Sequence, residues 1–337
     1  MVSRAGVTIR DVARRAGVSI TSVSHALNDK GTISESTRER VRQAAAELDY
    51  QADAFARGMR QGRIGVIGLV MRSLDALGDY TPDGVDVFVR FAGILSAKAL
   101  GRGWSLTLLP DLTRRPVPSM AFAMDGYVVM SPLEGDPVTE LLDARGIAYV
   151  TYGREPTRMG FDSWAAEDDR DAAQQLLRHL EAAGAEEVAL VRGTDRNAWN
   201  LDYTEVYLRW CAERARAPRL YEQPEGSGVV GGEQVADRIL VDGLPDAVLC
   251  LTGRHAAGVQ RHLQDRGFVV PRDVMVATGS DSEHSRASRP AITAIQMSPA
   301  DTADALLDLL QAKLDRGGSP GPRLTRSRLR PRASTRS

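Results

Sequence analysis

Thr21, Ser24, His25 and Asn28 fall at i, i+3, i+4 and i+7 along the chain, a spacing that gathers all four on one face of a helix. Short hydroxyl, imidazole and amide groups on one exposed helical face can exchange hydrogen bonds with base edges in a DNA major groove. No other constellation carries comparable chemistry. Cys211 and Cys250 are isolated, which argues against a disulfide framework, and His25, His179, His255, His262 and His284 make no metal-ligand spacing with them. There is no nucleophile elbow, zinc-protease motif or P-loop, so no catalytic residue, metal or cofactor is assigned. Gly226-Ser227-Gly228-Val229-Val230-Gly231 spells G-x-G-x-x-G, but Glu222-Gln223-Pro224-Glu225 stands before it where an apolar strand is needed. It reads as a glycine-rich loop ahead of a helix.

The elements that position the polar face follow from local signals. Thr8 before Ile9-Arg10-Asp11 is a helix start, and Asp11 can reach back to complete a capping box. Val12, Ala13 and Ala16 form a small apolar face, and Gly17 ends the helix. Ser19 caps a second helix at about 20–27, whose Val23 and Leu27 turn inward. A third helix begins near Ser34, with the stripe Val41, Ala44, Ala45 and Leu48 closing a three-helix bundle. Two helices joined by a turn, the second polar outside, make a helix-turn-helix.

The runs TIRDVARRAGVS and SVSHALN, the helix STRERVRQAAAELDY and the linker ADAFARGMR resemble the lactose-repressor (LacI/GalR) family across residues 7–62. The resemblance implies base contacts by Ile20, Thr21 and His25, with Ser24 on the same face. Phosphate contacts are assigned to Thr8, Arg10, Ser19, Asn28 and Arg38, with Arg42 as a further clamp. Ile20 also lies at the inward edge of its helix, so a purely core role beside Val23 stays open. In the family the linker forms a hinge helix that inserts an apolar side chain into the minor groove. Met59 takes the wedge position, with Ala56 and Arg60 beside it. The chain departs from the family at Ala52, where Pro is usual, and at Gly58, usually Ser; a helical Gly costs ~1 kcal/mol relative to Ala.

Charge distribution fits a DNA-binding head on a soluble body. Residues 1–62 hold ten Lys/Arg and seven Asp/Glu, and residues 320–337 hold six Arg and no acid. The chain as a whole carries −1, so the middle is acidic. No apolar run reaches membrane-spanning length and no signal-peptide core opens the chain, which predicts a cytoplasmic protein. From Ile64 onward, β-branched runs (IGVIGLVM, WSLTLL, GYVVM, IAYVT, EVALV, DAVLCL, DVMVAT, ITAI) alternate with helical patterns, the signature of parallel, doubly wound sheets.

The expected fold is an all-α helix-turn-helix headpiece plus an α/β periplasmic-binding-protein-like sensor of two doubly wound lobes. The headpiece spans 1–50, the hinge 51–62 and the sensor 63–316. Lobe 1 is assigned 63–162 and 291–316, and lobe 2 is assigned 163–290. Residues 317–337, rich in Gly, Pro and Arg, are expected to be disordered, with arginines available for non-specific DNA affinity.

The effector cleft is expected at the carboxyl ends of the strands. Positions where many relatives anchor a sugar read differently here: Gly153, Tyr203, Thr252-Gly253 and Ser280-Asp281. Trp164, Arg196, Asn197, Trp199, Tyr203 and Asp281 remain as candidate effector contacts, with Trp199 and Tyr203 alternatively packing only on each other. The function expected is a sequence-specific, dimeric transcriptional repressor on a pseudo-palindromic double-stranded DNA operator. A small molecule of unassigned identity controls it; the alternative is control by a protein partner or a non-sugar metabolite through a degenerate cleft.

Overall fold

Three short helices, α1 (Ile9–Ala16), α2 (Ile20–Leu27) and α3 (Glu35–Glu47), form where their capping residues predict them. The Thr8 N–H and hydroxyl both donate to the Asp11 carboxylate, at 2.9 and 2.6 Å. Gly17 takes the left-handed conformation, φ 66°, that ends α1 and that side chains other than glycine rarely adopt. Ser19 Oγ accepts from Ser22 N at 3.0 Å, and Ser34 Oγ from Thr37 N at 3.3 Å. The three helices close on eight buried residues, all Val or Ala: Val12, Ala13, Ala16, Val23, Ala26, Val41, Ala44 and Ala45. Leu27 and Leu48, expected inside, pack on this core only partly buried.

The computed structural model describes residues 7–27, 31, 33–48, 50, 63–71, 86–316 and 318–336. Contacts divide the chain into two compact units, Met1–Gly65 and Val66–Ser337. Asn28 and the hinge residues Ala56, Met59 and Arg60 lie outside the described residues.

The second unit holds two sheets. The first contains β1 (Val66–Val70), β2 (Ser105–Leu109), β3 (Gly126–Met130), β4 (Tyr149–Tyr152), β5 (Trp164–Glu167) and β11 (Arg323–Thr325), in the order β11-β5-β4-β3-β1-β2. The second contains β6 (Val188–Arg192), β7 (Arg219–Glu222), β8 (Ala247–Cys250), β9 (Met275–Thr278), β10 (Thr293–Gln296) and β12 (Arg328–Arg330), in the order β12-β10-β9-β8-β6-β7. All pairings are parallel except β10 with β12.

Helices cover both faces of each sheet, which is why the central strands are apolar throughout. In lobe 1, α4 (Asp86–Gly101) and α11 (Pro299–Arg316) bury Phe91, Leu95, Leu306 and Leu310 on one face, and α5 (Pro137–Ala144) buries Val138 and Leu142 on the other. In lobe 2, α6 (Asp169–Ala182) and α7 (Ala198–Glu213) cover one face. There α8 (Gly228–Val241) and α9 (Gly253–Asp265) cover the other, and α10 (Glu283–Ala287) is a short addition after β9.

Three expectations need correction. The tail is ordered: β11 extends the lobe-1 sheet and β12 the lobe-2 sheet, because Arg-Leu-Thr and Arg-Leu-Arg need only a free sheet edge, not a hydrophobic run of their own. The lobe boundaries also shift. β5 belongs to lobe 1, so the first crossing follows Glu167, and β10 pairs with β9 in lobe 2, so the return comes after Gln296 and not near 291. Finally, a strand (β7) does precede the glycine-rich segment, and Gly228 already lies in α8. That strand is a four-residue edge in which Arg219 and Glu222 flank Leu220 and Tyr221, too short and mixed to give a period to read.

Candidate nucleic-acid interface and interlobe cleft

On α2 the division between faces is sharp. Val23 and Ala26 are at most 1% exposed, while Thr21 is exposed and Ser24 and His25 are half-buried. Ile20 is 45% exposed, so it is not a core residue and its apolar side chain is available to a thymine methyl. His25 lies against the backbone of Gly31: a Cβ there would sit 2.7 Å from His25 Nδ1. A side chain at Gly31 would require the ring to shift, so the glycine leaves the imidazole room. Nothing in the helical spacing announced that closeness.

The phosphate candidates divide by what already holds them. Arg10 is exposed beside the N-terminus of α1. Thr8 and Ser19 are exposed caps whose hydroxyls are used at the helix starts, and the bonds from Thr8 hold the Asp11 carboxyl below its usual range. Arg38 is largely covered, its side chain 15% exposed and 3.6 Å from Glu35, with Arg42 3.9 Å from the same carboxylate. Arg38 is therefore the more covered of the two, with the Glu35 carboxylate beside it.

In the second unit, the loops after the strands of the two lobes meet. Glu134, after β3, donates its N–H to the Arg196 carbonyl at 2.9 Å, and the two side chains form an ion pair. Leu133 and Asn197 make an isolated antiparallel bridge across the same junction. Deeper, Arg154 from the loop after β4 donates to Asp202 on α7 at 2.6 Å, and Arg170 on α6 donates to the same oxygen at 2.9 Å. Arg170 also binds Glu205 at 2.6 and 2.8 Å.

At the crossing itself, Glu167 is buried and accepts from the Tyr152 hydroxyl at 2.6 Å and the Thr302 hydroxyl at 2.9 Å. Thr302 in turn bonds Thr325 at 2.8 Å. One carboxylate thus ties together the three segments that run between lobes. Burial raises its pKa, and the Tyr152 hydroxyl is pushed well above its usual value by burial and by Glu167.

The candidate effector residues are only partly brought together. Arg196, Asn197, Trp199 and Tyr203 cluster at the start of α7. Asn197 is its N-cap, accepting from Asn200 N at 2.9 Å. Trp199 and Tyr203 meet edge-to-face with centroids 6.1 Å apart, and Tyr203 is 1% exposed in the lobe-2 core, as the packing alternative expected. Trp164 opens β5 opposite Thr151, a strand's length short of the carboxyl end where the lobes meet. Asp281 is taken by the tail: Arg332 Nη2 donates to both of its oxygens at 2.9 Å.

Sequence reading missed Arg154, Arg170 and Asp202. Arg154 and Asp202 adjoin Gly153 and Tyr203, positions singled out because the usual sugar anchors are absent. Among the described residues, no group of three or more His, Cys, Asp or Glu is placed to hold a metal, and no helix is long and apolar enough to cross a membrane.

Residues 8–53 match the family model described as bacterial regulatory proteins, lacI family. The headpiece is a lacI-family domain. Residues 177–335 match a periplasmic binding protein-like domain. The chain is 24% identical over 328 residues to the HTH-type transcriptional repressor PurR of Actinobacillus pleuropneumoniae serotype 3 (strain JL03), covering 91% of each protein. It is 26% identical over 340 residues to the catabolite repressor/activator of Escherichia coli (strain K12), covering 94% of this chain and 95% of that one. Its fold is similar to that of a lac repressor dimer bound to operator and the anti-inducer ONPF, with TM-score 0.81 at 21% identity, over 98% of this chain and 100% of that one. The chain is a DNA-binding transcriptional regulator with a two-lobed sensor.

Proposed function

We propose that the protein is a homodimeric, cytoplasmic repressor without enzymatic activity. Two headpieces read the halves of a pseudo-palindromic operator, and a small molecule between the sensor lobes changes that grip. Ile20, Thr21, Ser24 and His25 contact bases. Thr8, Arg10, Ser19, Asn28 and Arg38 contact phosphates, and Met59, with Ala56 and Arg60, forms the minor-groove wedge. Arg196 and Trp199 stay with the effector cleft, joined by Arg154, Arg170 and Asp202. The observation that carries the proposal is the exposure of Ile20 and Thr21 over a fully buried Val23 and Ala26: a helix this short, with one face closed in its bundle, presents the other for insertion into a groove. Relatives that match over nearly the whole chain are named as repressors, and a solved neighbour is a dimer on its operator. DNase footprinting on DNA flanking the protein's own gene tests it. A discrete symmetric footprint that Ile20→Ala abolishes is expected; sequence-independent coverage at low salt would overturn the reading.

A further inference from the structure

Asp202 accepts two guanidinium groups on one oxygen, and only one of them belongs to its own lobe. Arg170 is already held by Glu205 through two hydrogen bonds, so Arg154 is the partner that crosses the cleft. The Asp202 side chain is 11% exposed and that of Arg154 is 32% exposed, placing the pair inside the junction and not on its rim. The loop that carries Arg154 is held in place. Glu155 is 3% exposed and accepts from Gly135 N at 3.0 Å, Thr157 N at 3.0 Å and the Thr157 hydroxyl at 2.7 Å, binding the two lobe-1 loops to each other.

The wall that receives Arg154 is acidic. Asp202 and Glu205 on α7 hold Arg170, lobe 2's own cation, with Asp169 on α6 and Glu167 at the crossing close by. Asp168 is engaged as the cap of α6, accepting from Asp171 N at 3.0 Å. The Asp169 side chain makes no hydrogen bond among the described residues; burial pushes its pKa well up, and Glu167, Asp202 and Asp168 push it further while Arg154 opposes them. Take Arg154 away and several carboxylates share one guanidinium, which in a partly buried site favours uptake of a cation.

We propose that the Arg154–Asp202 pair is an interlobe latch standing in the effector cleft, and that the effector which releases it carries a guanidinium or primary amine that replaces Arg154 on Asp202. The ligand class rests on the cleft being the effector site; the latch does not. The lobes are joined by three crossings, after Glu167, after Gln296 and between Thr325 and Arg328, so contacts across the cleft set how closed they are. The Glu134–Arg196 pair is a second, more exposed contact at the same junction, its side chains 36% and 62% exposed, and screening by solvent makes it the weaker of the two.

Hydrogen exchange on the full chain, without DNA, tests this with Arg154→Ala, Arg154→Ala/Asp202→Asn and the swapped pair Arg154→Asp/Asp202→Arg. Arg154→Ala should exchange about tenfold faster over residues 131–137 and 195–203, and the swap should restore much of the protection. Ethylguanidinium at tens of millimolar should slow exchange in Arg154→Ala but not in the double variant, with sodium chloride of equal ionic strength as control. Unchanged exchange in Arg154→Ala overturns the latch, and so does a swap that behaves no better than the single variant. Opening that a neutral sugar reverses and ethylguanidinium does not overturns the cationic effector. If Arg154→Ala fails to fold, Arg154→Lys replaces it, with partial opening expected and wild-type exchange overturning the latch. Failure of the regulatory reading would show separately, as absent operator binding by the wild-type protein.

Discussion

Replacing Arg332 by Met should destabilise the sensor although the residue stands five positions before Ser337. The Met keeps the apolar stem and removes the guanidinium, which donates to both Asp281 oxygens at 2.9 Å and to the Ile292 carbonyl at 2.8 Å. A hydrogen bond to a charged group contributes about 1.5–3 kcal/mol, and breaking a fully buried pair costs about 3–5 kcal/mol. The upper figure does not apply here. Arg332 is 20% exposed, and Asp281 keeps longer contacts, at 3.4 Å each, with Arg286 and Ser285. A loss of about 2–3 kcal/mol follows. At about 2 °C per kcal/mol for a unit of this size, the melting temperature should fall by about 4–6 °C. Arg332→Lys, which keeps a charge but cannot span both oxygens, should lose less. The assay is thermal unfolding of the full chain with Asp281→Asn as the partner in a double-mutant cycle. A fall under about 1 °C, or strictly additive effects of the two substitutions, would refute the reasoning.

Asp169→Asn should stabilise the protein near about pH 8 and leave it nearly unchanged near about pH 4. The native carboxyl is raised well above its usual value, so the folded state holds its proton longer than the unfolded chain and stability falls as pH climbs through that window. Urea unfolding at both pH values checks the sign, and equal effects would refute it. His25→Ala should weaken a symmetric operator roughly 30-fold, from about 1 kcal/mol at each half-site, and leave non-specific binding intact. Competition gel shifts with operator and random DNA read the difference. Met59→Gly should reduce specific binding far more than non-specific binding; equal loss of both would reject the wedge. Arg323→Gln/Arg328→Gln should leave the salt dependence of DNA binding unchanged, measured as the slope of affinity against salt, because their strands belong to the sensor sheets.

What was legible in the sequence was what local rules determine. Thr8, Gly17, Ser19 and Ser34 mark helix ends through their own backbone chemistry, so the headpiece helices lie where the residues place them. The continuous apolar strands were legible for a similar reason, since a strand covered on both faces must be apolar at every position. Short strands escape this logic. Trp164-Ala165-Ala166-Glu167, which the tail strand covers, and the edge strands Arg219-Leu220-Tyr221-Glu222, Arg323–Thr325 and Arg328–Arg330 are three or four residues long, and the pairing that creates them comes from neighbours distant in sequence. The lobe boundaries failed with them, because a crossing is defined by which sheet accepts a strand. The cleft was least legible. Arg154 and Asp202 are 48 positions apart, and Arg332 and Asp281 are 51 apart; single charges at such separations carry no period.

The headpiece core also bears on why the sensor matters. Eight buried side chains, all Val or Ala, bring the helices close and leave the groove-facing side of α2 undisturbed, but they bury little apolar area. A head and hinge with ten basic and seven acidic residues over 1–62 add only modest electrostatic attraction to phosphate. Neither hydrophobic burial nor charge is in surplus, so the contribution of a single head to affinity is small and joining two heads raises the effective concentration of the second. Whatever fixes the spacing of the heads then governs occupancy of the operator. In the sensor, Glu167 with Tyr152, Thr302 and Thr325 gathers the three crossings at one buried point, while the ion pairs between the lobes lie to one side of it. None of the residues in those pairs belongs to either lobe's apolar core, so breaking them should leave both cores and the Glu167 hydrogen bonds in place.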